Sequence, residues 1–264
     1  MREYDPMHGL DTSRPNIARV YDYWLGGRDN FAADRNLAER LAKWYPPWVQ
    51  ACRDNRAFVG RAVTWAATSG IGQFLDLGAG LPTSPAVHEA ARAVKAGARV
   101  CYVDNDPVVV RHADALLVRP DGIASAEADL TDPAAVWASP QVRAVIDPSE
   151  PVCVILALVL HFFDIEQARG VVAAFASDAA PGSAFVISVG RNDDPAMWHQ
   201  VRESYTAGVL HNYDRAQALS LFDGLDVVPP GLALAHAWRA GMTAVPDKPP
   251  GPAYVLGGVA VKPM

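Results

Sequence analysis

The chain has 264 residues, half of them hydrophobic and 20% charged, which excludes wholesale disorder and suffices for one large α/β core, or a core with an appendage. A net charge of -6 argues against a phosphate-backbone partner, which calls for a basic face. The opening residues Met1 to Pro6 lack the apolar core of a signal peptide, and the most apolar run, Val152 to Phe163, is too short to span a bilayer. These features predict a cytoplasmic protein with no membrane or nucleic-acid partner.

The first 69 residues read as helices. Pro15 opens one that carries Ile17, Val20, Tyr21 and Trp24 on one face, and Gly26-Gly27 ends it. A second runs from about Asn30 to Trp44. A third follows Pro46-Pro47 and presents Trp48, Ala51, Cys52, Phe58, Val59, Ala62 and Val63. From residue 70 onward, apolar runs alternate with helical patterns, the mark of a parallel sheet with crossover helices. Two units are therefore expected, a helical cap over 1–69 and an α/β core over 70–264.

The expected strands are Gln73–Leu77, Arg99–Val103, Gly122–Ala126, Val152–Leu156 and Ala184–Val189. Their near-continuous hydrophobicity fits burial on both faces. Ser84-Pro85, Asp106-Pro107 and Asp132-Pro133 each place a capping side chain before a proline at a helix start. Gly97 is expected to close the first crossover helix, and Asp164 to cap the helix of Ala168, Val171, Val172 and Phe175. Helices are expected through Met197, Val201 and Tyr205 and again after Asp214. Extended segments at Leu225–Val228, Leu232–Trp238 and Tyr254–Val261, with a proline-rich turn over Pro246–Pro252, predict an antiparallel edge. Cys52, Cys101 and Cys153 have no metal-ligand spacing and read as small buried hydrophobes in a reducing compartment.

Three pieces carry the chemistry. Phe74-Leu75-Asp76-Leu77-Gly78-Ala79-Gly80 ends a strand in an acid and a glycine turn, where a ligand can press against the backbone. Asp104 closes the next strand 24 positions after Gly80, where a carboxylate can accept bonds from two ribose hydroxyls. Asp129-Leu130 follows the third strand and suits a purine edge, or is a solvated turn.

In this order and at these spacings, the three pieces resemble class I S-adenosylmethionine-dependent methyltransferases. The resemblance implies a Rossmann-like α/β sheet of seven strands in the order 3-2-1-4-5-7-6, with helices on both faces and an N-terminal helical lid. It implies S-adenosyl-L-methionine as the cofactor. Asp76, Gly78, Ala79 and Gly80 would surround its methionine part, Asp104 and Asn105 its ribose, and Asp129 and Leu130 its adenine. Leu156 stands where the fourth strand ends, beside the transferring methyl. The stretch Arg14-Pro-Asn-Ile-Ala-Arg-Val-Tyr-Asp-Tyr-Trp-Leu-Gly-Gly-Arg-Asp-Asn-Phe-Ala-Ala-Asp34 is very similar to the opening signature of an actinobacterial methyltransferase family of poorly known substrate. Tyr102–Pro107 and Val159–Phe162 look like its later signatures.

Two departures matter. Pro82 replaces the usual third glycine of the first motif, and Ala157-Leu158 replaces the Asn or Asp with prolines common in nucleobase methylation. His161 reads as a general base or as a structural histidine. Tyr21, Arg28 and Asn30 read as a lid, with Arg28 on the methionine carboxylate, or as a Gly-Gly helix end followed by a cap. The expected reaction is in-line methyl transfer to an O, N or C nucleophile of a small-molecule substrate, without a metal. Two alternatives stand beside it. One is a non-catalytic S-adenosylmethionine-binding regulatory protein. The other is an NAD-dependent oxidoreductase, disfavoured because Gly78-Ala-Gly-Leu-Pro-Thr83 lacks the last small residue of the dinucleotide fingerprint.

Overall fold

Phe74, Leu75 and Leu77 are all fully buried, and successive side chains enter opposite layers. Phe74 joins one apolar cluster with Val100, Tyr102, Ile155 and Val186. Leu75 and Leu77 join another with Val103, Leu156, Phe175 and Phe185. A sheet covered on both faces follows from this alternation. The computed structural model describes residues 11–116, 121–241, 249 and 251–264.

Three helices come first: α1 Ile17–Leu25, α2 Ala32–Trp44 and α3 Pro46–Thr68. The core follows as β1 Gln73–Leu77, α4 Val87–Arg92, β2 Arg99–Asp104, α5 Pro107–Leu116, β3 Ile123–Glu127, α6 Pro133–Ala138, α7 Pro140–Val145 and β4 Cys153–Ala157. A 3-10 turn, Leu160–Phe162, leads into α8 Ile165–Asp178, β5 Ala184–Asn192, α9 Pro195–Ser204 and α10 Arg215–Ser220. Short strands β6 Asp226–Val227 and β7 Ala233–Leu234 precede β8 Ala253–Val261. The sheet runs β3-β2-β1-β4-β5-β8-β6, and β7 also pairs with β8. Strands β1 to β5 are parallel, and β8 is antiparallel to β5, β6 and β7.

The path is therefore the expected one, with an added two-residue strand, so that the eighth strand in sequence takes the seventh strand's place. The terminal segments do not pair as a simple hairpin, because β6 and β7 each lie along β8 at different points. The proline-rich turn expected over 246–252 falls largely outside the described residues.

Asp106, Asp132 and Asp164 cap α5, α6 and α8 as expected, accepting from Val108, Ala135 and Gln167 N–H groups. Ser84 does not cap α4. Ala86 starts that helix instead, and Glu89 reaches back to accept from its N–H at 2.6 Å. Gly97 does not close α4, which ends at Arg92 with Ala93 following. Arg92 Nε donates to the Ala98 carbonyl at 3.0 Å and Lys95 Nζ to the Gly70 carbonyl at 2.7 Å, which anchors the segment between α4 and β2.

Helix α3 is part of one sheet face: Phe58, Val59, Ala62, Val63 and Ala66 pack in the cluster of Phe74 and Val259. Helices α1 and α2 form a smaller cluster of their own, with Val20, Trp24, Leu37, Ala38 and Leu41 joined by Cys52 and Tyr205. Buried Arg19 holds buried Asp34 at 2.8 Å between these two helices.

Candidate active site

Glycine builds the turn after β1. Gly78 and Gly80 have φ of 66° and 64°, a left-handed region that side chains avoid. Gly78 is doubly constrained, since a Cβ there would stand 2.6 Å from Val159 Cγ2. The N–H groups of Gly78 and Ala79 both donate to the Val103 carbonyl, at 2.8 and 3.1 Å, which ties the turn to β2. A Cβ on Gly80 would meet nothing within 4 Å.

Gly80 borders a cavity of about 330 Å³. Asp76, Gly78, Ala79 and Gly80 line it from β1 and its turn. Asp104 and Asn105 enter from the end of β2, and Asp129 and Leu130 from the end of β3. Asp104 accepts from Gly80 N–H at 2.9 Å through one oxygen and from Asp106 N–H at 3.0 Å through the other. Burial nonetheless raises its pKa. Asp76 is buried, and burial pushes its pKa up to about 7 against the opposing pull of Arg56. Asn16 Nδ2 donates to Asp106 at 2.7 Å, which fastens the start of α1 to this rim.

Tyr21 and His161 also line the cavity. The Tyr21 hydroxyl donates to the Cys52 carbonyl and accepts from Asn55 Nδ2, both at 3.2 Å. Asn55 Oδ1 accepts from the Ser188 hydroxyl at 2.6 Å, and Ser188 Oγ accepts from Leu158 N–H at 3.1 Å. One line of bonds thus joins α1, α3, β5 and the end of β4. His161 is 6% exposed, and its Nδ1 is buried without a partner. Burial, with His211 second, pushes its pKa down to about 4. The ring is therefore neutral at physiological pH.

Arg28, Asn30 and Leu156 do not reach the cavity. Arg28 is exposed. The loop that carries it is organised by Asp22, which accepts from Asp29 N–H at 3.0 Å and Asn30 Nδ2 at 2.8 Å. Asn30 is consumed by that loop, donating also to the Gly27 carbonyl at 3.0 Å. Leu156 points into the opposite cluster with Leu75 and Leu77, and its neighbours Ala157 and Leu158 line the cavity instead.

The arginines that line the cavity are Arg56 and Arg191, and not Arg28. Arg56 lines it from α3, with Nη2 bonded to the carbonyls of Thr83 and Pro85 at 3.1 and 2.8 Å, and its Nε is buried without a partner. A signal for it existed: Arg56 and Asn55 interrupt the apolar helical stripe of Cys52, Val59 and Val63.

Beyond the ends of β4 and β5 the wall turns aromatic, with Trp24, Tyr45, Trp48, Phe162, Trp198 and Tyr205. The Tyr45 hydroxyl and Asn192 Nδ2 are buried there without partners. Among the described residues, no group of three His, Cys, Asp or Glu side chains could hold a metal ion.

Residues 4–263 match the family described as S-adenosyl methyltransferase. Two crystal structures are similar over nearly the whole chain. One is a DUF574 family protein from Streptomyces avermitilis, 34% identical, covering 96% of this chain and 99% of that one, with a TM-score of 0.88. The other is a candidate methyltransferase from Thermobifida fusca, 37% identical, covering 99% of this chain and 100% of that one, with the same TM-score of 0.88. A candidate methyltransferase bound to the Trm112 activator of Haloferax volcanii shares the fold at 16% identity, covering 87% of this chain and 97% of that one, with a TM-score of 0.54. No curated protein sequence matches the chain.

Proposed function

This chain belongs to the S-adenosyl methyltransferase family, and from that premise we propose that its cavity holds the cofactor on the glycine turn and a small acceptor in the aromatic chamber. The chain is an S-adenosylmethionine-dependent methyltransferase, which removes the support for a nicotinamide-dependent oxidoreductase. The observation that carries the proposal is one continuous cavity reaching from Gly80 and Asp104 to His161 and Tyr45.

The residues present fit S-adenosylmethionine. Arg56 lines the cavity with its Nη2 held by the Thr83 and Pro85 carbonyls, and guanidinium suits the methionine carboxylate. Asp104 spends one acceptor site per oxygen on Gly80 and Asp106. Its remaining lone pairs suit the two ribose hydroxyls. The open side of Gly80 leaves room for the chain between them. Asp129 and Leu130 border the adenine, and Asp76 lies beneath the methionine part.

When bound, the cofactor supplies a methyl group on a sulfonium, and the carbon–sulfur bond breaks to a neutral thioether as the bond to an O, N or C acceptor forms. His161, which lines the cavity, takes the proton that the acceptor gives up; burial keeps it neutral beforehand. The cavity then holds one positive charge before and after, so no new charge is buried. Tyr21, held by Asn55 and Cys52, fixes the roof over the reacting groups. Positioning of this kind accounts for roughly 7–11 kcal/mol of a barrier.

The acidic net charge and the three free, buried cysteines favour a cytosolic enzyme with a small substrate over one acting on nucleic acid. Among the described residues, no helix is long and apolar enough to cross a membrane. We read residues 1–69 as a cap whose first two helices close the cavity while α3 carries Arg56 and Asn55 into it.

Titration with S-adenosylhomocysteine tests the placement. Arg56→Ala should weaken binding about tenfold, about 1.4 kcal/mol, whereas Arg28→Ala should leave it unchanged. Equal affinity of Arg56→Ala and the parent protein rejects it.

A further inference from the structure

Resting on that reading, we infer that α1 couples the two halves of the site. A bound cofactor secures Asn16 on Asp106, and the same helix then seats Tyr21 and Trp24 over the acceptor, so the two ligands bind cooperatively and Asn16 is a positioning residue. Helix α1 borders the cavity along its length: its cap Asn16, then Ile17, Ala18, Tyr21 and Trp24 all line it. Ile17, Tyr21 and Trp24 stand four and three residues apart, on one helix face. From Asn16 to Trp24 the axis rises about 12 Å. One rigid element therefore reaches from the Asp106 rim to the aromatic chamber.

The near end of α1 is latched to the turn that carries the ribose acid. Asn16 Nδ2 donates to Asp106 Oδ2 at 2.7 Å. Asp106 Oδ1 accepts from Val108 N–H at 2.8 Å, and its own N–H donates to Asp104 Oδ1 at 3.0 Å. Asp104 Oδ2 accepts from Gly80 N–H at 2.9 Å. A line of hydrogen bonds thus runs from the glycine turn through both acids to α1. Asn16 is committed on the helix side as well: its Oδ1 accepts from Arg19 N–H at 3.2 Å, and its N–H donates to Asp34 Oδ1 at 2.8 Å. Moving Asn16 therefore moves the first turn of α1. A nucleoside held by Asp104 fixes this turn and gives Ile17 and Ala18 a surface to pack on.

Little else ties the helix to the core. Helices α1 and α2 hold each other through the buried Arg19–Asp34 pair and through Trp24 Nε1, which donates to the Ala38 carbonyl at 3.2 Å. Among the described residues, their polar ties to the rest of the fold are the Asn16 latch, the Tyr21 hydroxyl with its two bonds of 3.2 Å, and a half-exposed pair, Asp29 and His112, at 3.9 Å. Their apolar cluster reaches the core through Cys52 and Tyr205. A unit held at few points opens locally before the rest of the fold. A ligand that touches both the core and α1 favours the closed form, and the first to bind leaves less ordering cost for the second. Linkage makes the effect reciprocal, so the acceptor tightens the cofactor by the same factor.

Hydrogen exchange on the full chain, with and without saturating S-adenosylhomocysteine, tests this. In the parent protein the amides of Tyr21–Leu25 should exchange at least tenfold more slowly with the ligand, while α8, on the other face of the sheet, changes less than threefold. Asn16→Ser keeps an oxygen for the Arg19 N–H but cannot reach Asp106, and its gain should fall below threefold at saturation. Asn16→Asp sets two carboxylates face to face and should lose the gain as well. The double variant Asn16→Asp/Asp106→Asn exchanges donor and acceptor across the latch, keeps an oxygen at both helix caps, and should restore at least fivefold. In calorimetry, 2-naphthol, an aromatic probe for the chamber, should bind at least tenfold more tightly to the parent protein when S-adenosylhomocysteine is present, and less than threefold more tightly to Asn16→Ser. If exchange in α1 ignores the ligand, if Asn16→Ser responds as the parent does, if the double variant restores nothing, or if 2-naphthol gains nothing from S-adenosylhomocysteine, the inference is overturned while the cofactor site stands. Failure of the parent protein to bind S-adenosylhomocysteine overturns the cofactor placement itself, and this inference with it.

Discussion

The two ends of the cavity are made of different material. The glycine-turn end is backbone: three neighbouring parallel strands, β1, β2 and β3, stop side by side, and their C-terminal turns present Gly80, Asp104 and Asp129. The chamber end is side chain: residues from α1, α3, β5, α9 and the turn after β4 converge, each from a separate stretch of sequence. A backbone site needs few residue types at fixed spacing, because sheet topology does the placement. A side-chain site can be built from many sequences, so it is free to differ between enzymes that share one cofactor.

The sharpest way to break the comparison is to attack the backbone end at its one keystone side chain. Asp104→Ala removes the acceptor for Gly80 N–H and Asp106 N–H as well as the proposed ribose contacts. Lost bonds to a charged group cost about 1.5–3 kcal/mol each, so S-adenosylhomocysteine affinity should fall on the order of a hundredfold or more. Binding of 2-naphthol, an aromatic probe for the chamber, should fall far less. Equal losses for both ligands in parallel titrations would show that the two ends are not separable.

The two ends should also answer pH in opposite senses. Asp76, at the glycine-turn end, has a folded pKa of about 7 against 3.8 for the free group, with burial the main cause. Its stabilising contribution is complete below about pH 4 and is lost as pH rises through about 7. His161, at the chamber end, has a folded pKa of about 4 against 6.5, again by burial. Its contribution is complete above about pH 6.5 and is lost as pH falls through about 4. Relative to the parent protein, Asp76→Asn should gain stability as pH is raised from 5 to 8, and His161→Gln as pH is lowered from 6.5 to 4.5, each by on the order of 2 kcal/mol. Denaturation series at several pH values check this, and slopes of the same sign in both variants would defeat it.

The same contrast explains what the sequence revealed. The parallel strands, the acid at Asp104 and the caps at Asp106, Asp132 and Asp164 were legible because each is a local pattern with one physical cause. Gly97 misled because α4 already ends at Arg92, and the segment after it is anchored by side-chain bonds of Arg92 and Lys95 rather than closed by a glycine. Leu156 was one residue off, and in a strand a single step exchanges the two faces of the sheet. Arg28 attracted notice by standing in a signature, yet Asp22 organises its loop away from the cavity. Arg56 and Asn55 stood in plain view as polar breaks in an apolar stripe, but only tertiary packing tells such a break from a solvated edge. The unpartnered Tyr45 and Asn192 groups have no sequence mark at all.

The finest probe of the comparison is the bridge between the two ends. Tyr21, Asn55 and Ser188 connect α1 to the point where β4 and β5 diverge, and Tyr21 has no charge to lose at neutral pH because burial raises its hydroxyl pKa. Tyr21→Phe keeps the ring and deletes two hydrogen bonds of 3.2 Å. The bonds are long and the Cys52 carbonyl still has its helical partner to fall back on, whereas Asn55 Nδ2 is left without an acceptor inside the fold. The stability loss should therefore be modest, about 1 kcal/mol. If the bridge only holds the cap down, S-adenosylhomocysteine and 2-naphthol should lose affinity equally and by less than threefold. If it sets the distance between roof and methyl, 2-naphthol should lose more than the cofactor product does. We expect the second pattern, since Ser188 also receives the N–H of Leu158, whose φ of 54° holds the cavity wall in a conformation that leucine seldom adopts.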